Sequence, residues 1–131
     1  MSIEYLAGLF DGEGTVSLEK KYKRIYRSPV VSVASTTKEL VDACQAEFGG
    51  CIVTKSEKRK AHHKQCWIWK QSNDAAIDVC RKFLPFTLEP KKKARMQFIV
   101  THYKQLTKSN GKYSPAEIAA KQTFEDDFFK L

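Results

Sequence analysis

The sequence lacks any long apolar run: no segment holds the roughly 18 consecutive apolar residues that a membrane-spanning helix requires. Charged residues and glycines interrupt the first twenty residues, so we expect no secretory leader and an intracellular protein, cytoplasmic or organellar. Glycine and proline are scarce, with six and four residues among 131, which excludes a collagen-like or low-complexity chain. A hydrophobic share of 42% instead predicts one globular domain over residues 1–131.

The cysteines also lack a recognisable spacing. Four are scattered along the chain: Cys44, Cys51, Cys66 and Cys80. Cys51 and Cys66 could be combined with His62 and His63 as zinc ligands, but the spacing matches no standard zinc finger. We therefore expect reduced thiols, as is usual inside cells, and a histidine pair in an exposed basic turn.

Positive charge is in excess. The formal net charge is +8, and the isoelectric point is near 9.4. A small domain with this charge is typical of proteins that bind a polyanion, such as a nucleic acid. On charge alone, general solubility remains the alternative interpretation.

Hydrophobic patterning predicts alternating helices and strands. A period of two marks four strands: Thr15–Lys21, Arg27–Ser35, Cys51–Glu57 and Lys64–Gln71. A helical period marks five helices: one from Ser2 to Gly14, Thr37–Phe48, one from a cap at Asn73 or Asp74 to about Phe83, Lys91–Leu106, and one from the Ser114 cap towards Phe128. The resulting order is α-β-β-α-β-β-α followed by further helices, which is an α+β fold.

The segments between these elements carry their own signals. Pro29 predicts an edge or bulge position for the second strand. Lys21–Arg24 and Lys58–His63 are predicted charged turns, and 108–114 is a predicted loop. Two prolines, Pro85 and Pro90, bracket a predicted extended link.

The first helix breaks several local rules at once. Gly8 and Gly12 lie one turn apart, and each interior glycine costs about 1 kcal/mol relative to alanine. Asp11 and Glu13 lie at the negative end of the helix dipole, where carboxylates require a cation. Two small residues one turn apart also allow a second backbone to approach closely. An ordinary amphipathic helix capped by Gly14 is the alternative, but it explains neither the glycines nor the acids.

Residues 6–14, Leu-Ala-Gly-Leu-Phe-Asp-Gly-Glu-Gly, resemble the signature of the LAGLIDADG homing endonucleases. Six positions carry the consensus letters, and the other three are replaced by related residues: Phe10, Gly12 and Glu13. The element order is similar to that family up to about Leu106. The resemblance implies an αββαββα core with a saddle-shaped, four-stranded antiparallel sheet. A C-terminal helical extension over about 107–131 follows it.

Only one copy of the motif is present, which is similar to the homodimeric, intron-encoded members of the family. The resemblance implies that the motif helices of two chains pack at the two-fold axis. The interface residues that it implies are these: Ala7, Gly8, Asp11 and Gly12. Such a dimer places two Glu13 carboxylates close together, and their repulsion favours divalent cations between them.

The implied chemistry is Mg²⁺-dependent hydrolysis of double-stranded DNA at a long pseudo-palindromic target. Glu13 matches the metal-binding acid of the family and the carbonyl of Gly12 the ligand beside it, whereas Asp11 matches an acid that is more often structural. Each subunit is expected to cut one strand across the minor groove, leaving short 3′ overhangs. Lys91 is the expected catalytic lysine, with Lys92 as its alternative.

Polar residues on the strands are expected to read bases in the major groove. This set comprises Ser17, Glu19, Lys21, Lys23, Tyr26, Ser28, Ser32, Lys55, Glu57, Lys64 and Lys70. Two basic runs are expected on phosphates: residues 58–60 and 91–93. The alternation of the fourth strand predicts that Trp67 and Trp69 belong to the core.

Two departures from the family pattern support a second hypothesis. Ser35-Thr36-Thr37 stands where many relatives carry a glutamine, and Pro90 falls where many carry a lysine. A protein of this fold that binds without cutting is therefore the alternative: an intron maturase that binds RNA, or a DNA-binding regulator.

Overall fold

The computed structural model describes residues 1–20, 26–55, 65–108 and 111–131. Four strands form one antiparallel sheet in the order β1-β2-β4-β3: β1 (Gly14–Glu19), β2 (Ser28–Ser35), β3 (Cys51–Lys55) and β4 (Cys66–Ser72). Five α-helices accompany it: α1 (Ile3–Glu13), α2 (Lys38–Phe48), α3 (Asn73–Phe83), α4 (Pro90–His102) and α5 (Pro115–Phe129). The predicted order and the α+β class are confirmed. Within the described ranges, no helix has the length and apolar character needed to cross a membrane.

One face of the sheet carries the hydrophobic core. Val16, Leu18, Val31, Val33 and Trp69 alternate onto this inner face, and each is at most 1% exposed. The helices close the core with a second set of fully buried side chains: Leu6, Phe10, Val41, Ile77, Phe83, Met96 and Ile99. Strand alternation therefore leaves the other face of the sheet uncovered by this core.

The prediction of an edge or bulge position for Pro29 is wrong, because β2 lies inside the sheet between β1 and β4 and its register with β1 is one to one through Pro29. Pro29 pairs with Leu18 of β1, but the β4 ladder begins only at Val30, which faces Ser72. Pro29 therefore lies just outside that ladder, where its missing N–H costs no bond to β4.

The tryptophan prediction is confirmed. Trp69 is completely buried, and its Nε1–H donates to the carbonyl oxygen of Gly49 at 2.8 Å. Trp67 is half-buried and packs against the core. The chain after α2 also requires glycine at position 50. Gly50 has a φ of +88°, and an added Cβ would collide with the Lys70 carbonyl oxygen.

Several element ends differ from the predicted ones. The N-cap of α3 is Ser72, and neither Asn73 nor Asp74 takes that position. The predicted helix to Leu106 ends at His102 and continues as a 3₁₀ turn over Lys104–Leu106. The link between the two prolines is extended only in part, because Leu84–Phe86 forms another 3₁₀ turn. The predicted turns at 21–24 and 58–63 fall outside the described residues.

The four cysteines are free thiols. Burial raises the pKa of Cys44 to about 11 and that of Cys80 to about 12, so neither thiol ionises readily at neutral pH. Within the described ranges, no group of three or more His, Cys, Asp or Glu side chains could hold a metal ion. His62 and His63 lie outside those ranges.

The last helix is tied to the start of β2. Its predicted Ser114 cap is confirmed as a reciprocal capping box with Glu117. Lys121 is 5% exposed, and its Nζ donates to the Leu106 carbonyl at 3.3 Å and to the Thr107 hydroxyl at 3.1 Å. Three aromatic rings lie 5.1–5.3 Å from this ammonium group: Tyr26, Tyr103 and Tyr113. These rings offset part of the cost of burying the charge.

Candidate active site

The first helix has a buried face and a bare face. Leu6, Ala7 and Phe10 point into the core, whereas Gly8 and Gly12 are exposed. A Cβ built on either glycine meets no atom within 4 Å, so the helix backbone is open there. Ala7 is only 1% exposed, so its place in the predicted interface is corrected: it has almost no surface to offer a partner.

The chain passes from α1 into β1 without a loop. Gly14 is buried at the junction, and a Cβ at this position would collide with the ring of Phe10. Glycine is therefore required for the close approach of that ring. Because Glu13 is the last helical residue, this junction fixes its backbone while the side chain stays exposed to solvent.

Asp11 joins the end of α1 to the segment before α4. Its Oδ2 accepts a hydrogen bond from the backbone N–H of Leu88 at 2.9 Å. Its Oδ1 is buried and has no hydrogen-bond partner among the described residues. Asp11 thus bonds near the helix end, as the family resemblance implies. Of the two acids of the motif, Glu13 is the one that is exposed.

Lys92 supplies the cation that the end of α1 requires. Its Nζ donates to the carbonyl oxygens of Asp11 at 2.6 Å and of Phe10 at 3.2 Å. Its backbone N–H donates to Glu89, which caps α4 and whose pKa is lowered chiefly by this bond. A fixed ammonium group therefore lies against the carbonyl end of α1, at the negative end of its dipole.

The structure brings Lys92, the alternative to the predicted Lys91, into contact with the end of α1. The side chain of Lys91 is exposed, and its backbone N–H bonds to Glu89. Successive residues on a helix point about 100° apart, so only one of the lysines at 91–93 can face α1. Counting along the sequence cannot identify that residue, because the choice depends on how α4 is rotated.

Apolar side chains surround the bare face of α1, and the sequence reasoning missed them. Leu88 is 85% exposed, although its backbone bonds to Asp11. Tyr5 lies one turn before Gly8 and is 50% exposed, and Phe86, in the 3₁₀ turn that packs against α1, is 42% exposed. The sequence signal for this exposed apolar surface was Leu88, a single leucine between the polar residues Thr87 and Glu89.

The donor groups fit a magnesium ion only in part. Mg²⁺ takes one or two carboxylates together with other oxygens and water. Glu13 offers one exposed carboxylate, and the adjacent backbone offers the Gly12 carbonyl. One chain therefore offers two oxygen ligands of the kind that Mg²⁺ prefers, a carboxylate and a backbone carbonyl, and the remaining ligands must come from elsewhere.

The sheet places much of the predicted base-reading set on its outer face. By strand register, Ser17, Glu19, Ser28, Ser32 and Lys70 lie opposite to the core residues. The backbone of Lys55 pairs with Cys66 at the end of β3. Lys70 and Glu19 approach to 3.6 Å as an ion pair. Four other members of the predicted set fall outside the described residues: Lys21, Lys23, Glu57 and Lys64.

Two residues of the predicted base-reading set, Ser28 and Tyr26, have less free surface for contact with DNA than the prediction requires. Ser28 is 8% exposed, and its hydroxyl lies 3.5 Å from the carbonyl oxygen of Glu19. The Tyr26 ring lies 5.2 Å from that of Tyr113, beside the cluster around Lys121. The sequence set also omits eight residues on the outer face: Thr15, Val30, Ala34, Cys51, Val53, Cys66, Ile68 and Ser72.

The segment Ser35-Thr36-Thr37, which stands where many relatives carry a glutamine, forms one internal hydrogen bond. The Ser35 hydroxyl accepts a hydrogen bond from the backbone N–H of Thr37 at 3.0 Å, at the start of α2. Thr36 and Thr37 are exposed.

Replacing Lys92 by methionine tests its contact with α1. We expect Lys92→Met to lower the free energy of unfolding by about 1 kcal/mol, because the carbonyl end of α1 loses its charged donor. Lys91→Met is the matched control, and it should change that free energy by less than about 0.5 kcal/mol. Urea unfolding followed by circular dichroism measures both. Equal effects of the two changes would contradict the assignment of Lys92.

The fold is similar to that of solved LAGLIDADG nucleases. The homing endonuclease I-GzeII in complex with its DNA target superposes with a TM-score of 0.68 at 16% identity, over 95% of this chain and 44% of that one. The meganuclease I-SmaMI bound to uncleavable DNA gives 0.67 at 14% identity, over 99% and 45%. The archaeal intron-encoded I-Vdi141I complexed with DNA gives 0.51 at 16%, over 98% and 97%.

This chain thus spans less than half of I-GzeII and I-SmaMI but nearly all of I-Vdi141I. No curated protein sequence matches it. The family model described as a LAGLIDADG-like domain matches residues 1–82, well over half of the 131 residues. The chain belongs to the LAGLIDADG-like domain family.

Proposed function

We propose that this protein is a sequence-specific DNA homing endonuclease that works as a homodimer and requires a divalent cation, Mg²⁺ by its donor chemistry. Residues 1–131 form the single catalytic and binding domain in this proposal. The observation that carries it is the end of α1, where Glu13 is exposed next to the bare Gly12 and the Lys92 ammonium group binds the carbonyl oxygens of Phe10 and Asp11. Solved relatives of the same fold are DNA-bound nucleases.

The bare face of α1 supports a dimer. Gly8 and Gly12 leave the backbone open, and exposed Tyr5 and Leu88 lie around it. Large apolar side chains beside an open backbone are typical of a surface that another protein covers. An isologous contact places the same patch of both copies together. Two copies also approach the length of I-GzeII and I-SmaMI, each of which is a little over twice as long as the matched region.

Such a contact brings two Glu13 carboxylates near the axis, where their repulsion favours bound cations. Glu13 and the Gly12 carbonyl of each copy hold the ions in this proposal. A bound ion activates water and stabilises the leaving oxygen. Lys92 holds the carbonyl end of α1 in place and adds positive potential for the phosphate.

The outer face of the sheet is the proposed DNA surface. Ser17, Ser32 and Lys70 lie on it, and the net charge of +8 favours a polyanion. A sheet of this kind fits the major groove. The two-fold axis predicts a long pseudo-palindromic target. Each subunit cuts one strand across the minor groove, leaving short 3′ overhangs.

Changing Glu13 to glutamine tests the catalytic assignment. We expect Glu13→Gln to slow cleavage of a library-selected duplex by about a hundredfold or more, because a neutral amide is a poor ligand for Mg²⁺. Binding measured without Mg²⁺ should be retained. Glu4→Gln, an exposed change in the first turn of the same helix, is the control and should cut normally. Undiminished cutting by the Glu13 variant would defeat the assignment.

Filling the bare face tests the dimer. Gly8→Leu adds a side chain whose Cβ meets no atom within 4 Å in the single chain, so we expect an intact fold by circular dichroism. The same side chain separates two closely packed helices, so sedimentation should show a dimer for the original protein and a monomer for the variant. Ala119→Leu, at an exposed position of α5, is the control and should stay dimeric. A Gly8 variant that still dimerises with unchanged affinity would contradict this interface.

A further inference from the structure

The outer face of the sheet carries a row of apolar side chains. Ala34 of β2 pairs with Ile68 of β4, and Ile68 pairs with Val53 of β3, so the three residues lie side by side across three strands. Ala34 is exposed, Ile68 is half-buried, and Val53 is 44% exposed. We refer to these three residues as the apolar row.

The apolar row is out of keeping with its surroundings. The neighbouring register position on the same face holds Thr15, Ser32, Lys70 and Cys51. Beyond it lie Ser17, the buried Val30, Ser72 and the ion pair between Lys70 and Glu19. Strand propensity explains isoleucine and valine, but alanine is disfavoured in strands and gains nothing there from burial. Exposed apolar residues that polar groups surround mark a surface with a partner.

The position of the row relates it to the cutting site. Gly14, the residue after Glu13, pairs with Val33, and Ala34 is the next residue of β2. The row therefore begins beside the end of α1. From Ala34 to Val53 it crosses two strand spacings, about 10 Å in all. This length corresponds to about three base-pair steps.

We propose that the apolar row contacts the 5-methyl groups of thymines in the major groove, close to the scissile phosphate of each half-site. This inference rests on the proposed function. Thymine is the base that presents a methyl group in the major groove, and apolar side chains contact it there. Apolar side chains also desolvate the polar edges of the other bases without replacing their hydrogen bonds, which penalises those bases.

Charge identifies DNA as the occupant in place of another protein. The chain carries a net charge of +8, and Lys70 flanks the row on the same face. An apolar row on a chain of net positive charge suits a groove that combines phosphates at its rims with methyl groups on its floor.

The test removes one methyl group at a time. A duplex is selected from a random library with the full-length protein, and each thymine is then replaced by deoxyuridine, which lacks only that methyl group. We expect one to three positions in each half-site to lose roughly fourfold in affinity. Ile68→Ser should abolish this penalty, whereas Ile118→Ser, an exposed change on α5, should leave it unchanged.

The possible outcomes separate the two proposals. Tight binding to a selected duplex with no loss on any deoxyuridine replacement overturns this inference and leaves the proposed function standing. A selected site without thymines in the region near the cut does the same. If no duplex is bound at low salt, the proposed function fails, and this inference fails with it.

Discussion

The bond from the Lys92 ammonium group to the carbonyl oxygens of Phe10 and Asp11 is the interaction on which the candidate site depends. Two acids at the negative end of a helix repel its dipole, and α1 ends directly on a strand with no loop to relax the conflict. The lysine comes from α4, distant in sequence, so it also joins the motif helix to the rest of the core. Glu13 can then remain exposed at a fixed point.

The two faces of the sheet differ in composition. Its inner face is almost entirely apolar and buried, because β-strand alternation places Val31, Val33 and Trp69 together under the helices. Its outer face keeps hydroxyl groups, an ion pair and the apolar row. The last helix, beyond the residues that the family model matches, holds the start of β2 through Arg27, which pairs with Glu125 at 3.5 Å, and through Tyr26 beside Lys121.

The sequence predicted the fold well because its signals are local. Strong alternation identified the strands, and Ser114 identified the start of the last helix by its capping preference. The nine-residue motif identified the family, and the match over residues 1–82 confirms it. The element ends were less accurate, as the 3₁₀ turn after His102 shows, since small differences in local bonding decide them.

The site was predicted only in outline. The choice of Lys92 over Lys91 depends on the rotation of α4, and the burial of Ala7 depends on which face of α1 meets the core. The exposure of Leu88 beside Asp11 depends on a contact between residues 77 positions apart. These three features arise from tertiary packing, so they cannot be predicted from the periodicity or the composition of the sequence.

In the proposed function, two identical acidic helix ends act together, one for each DNA strand. Mixed dimers of original and Glu13→Gln chains, bound to a selected duplex with Mg²⁺, measure this directly, because each dimer then holds one intact helix end. We predict that nicked duplex, cut in one strand only, accumulates in proportion to the mixed dimers. Double-strand cutting that simply follows the amount of the original chain, with no nicked product, would contradict the account.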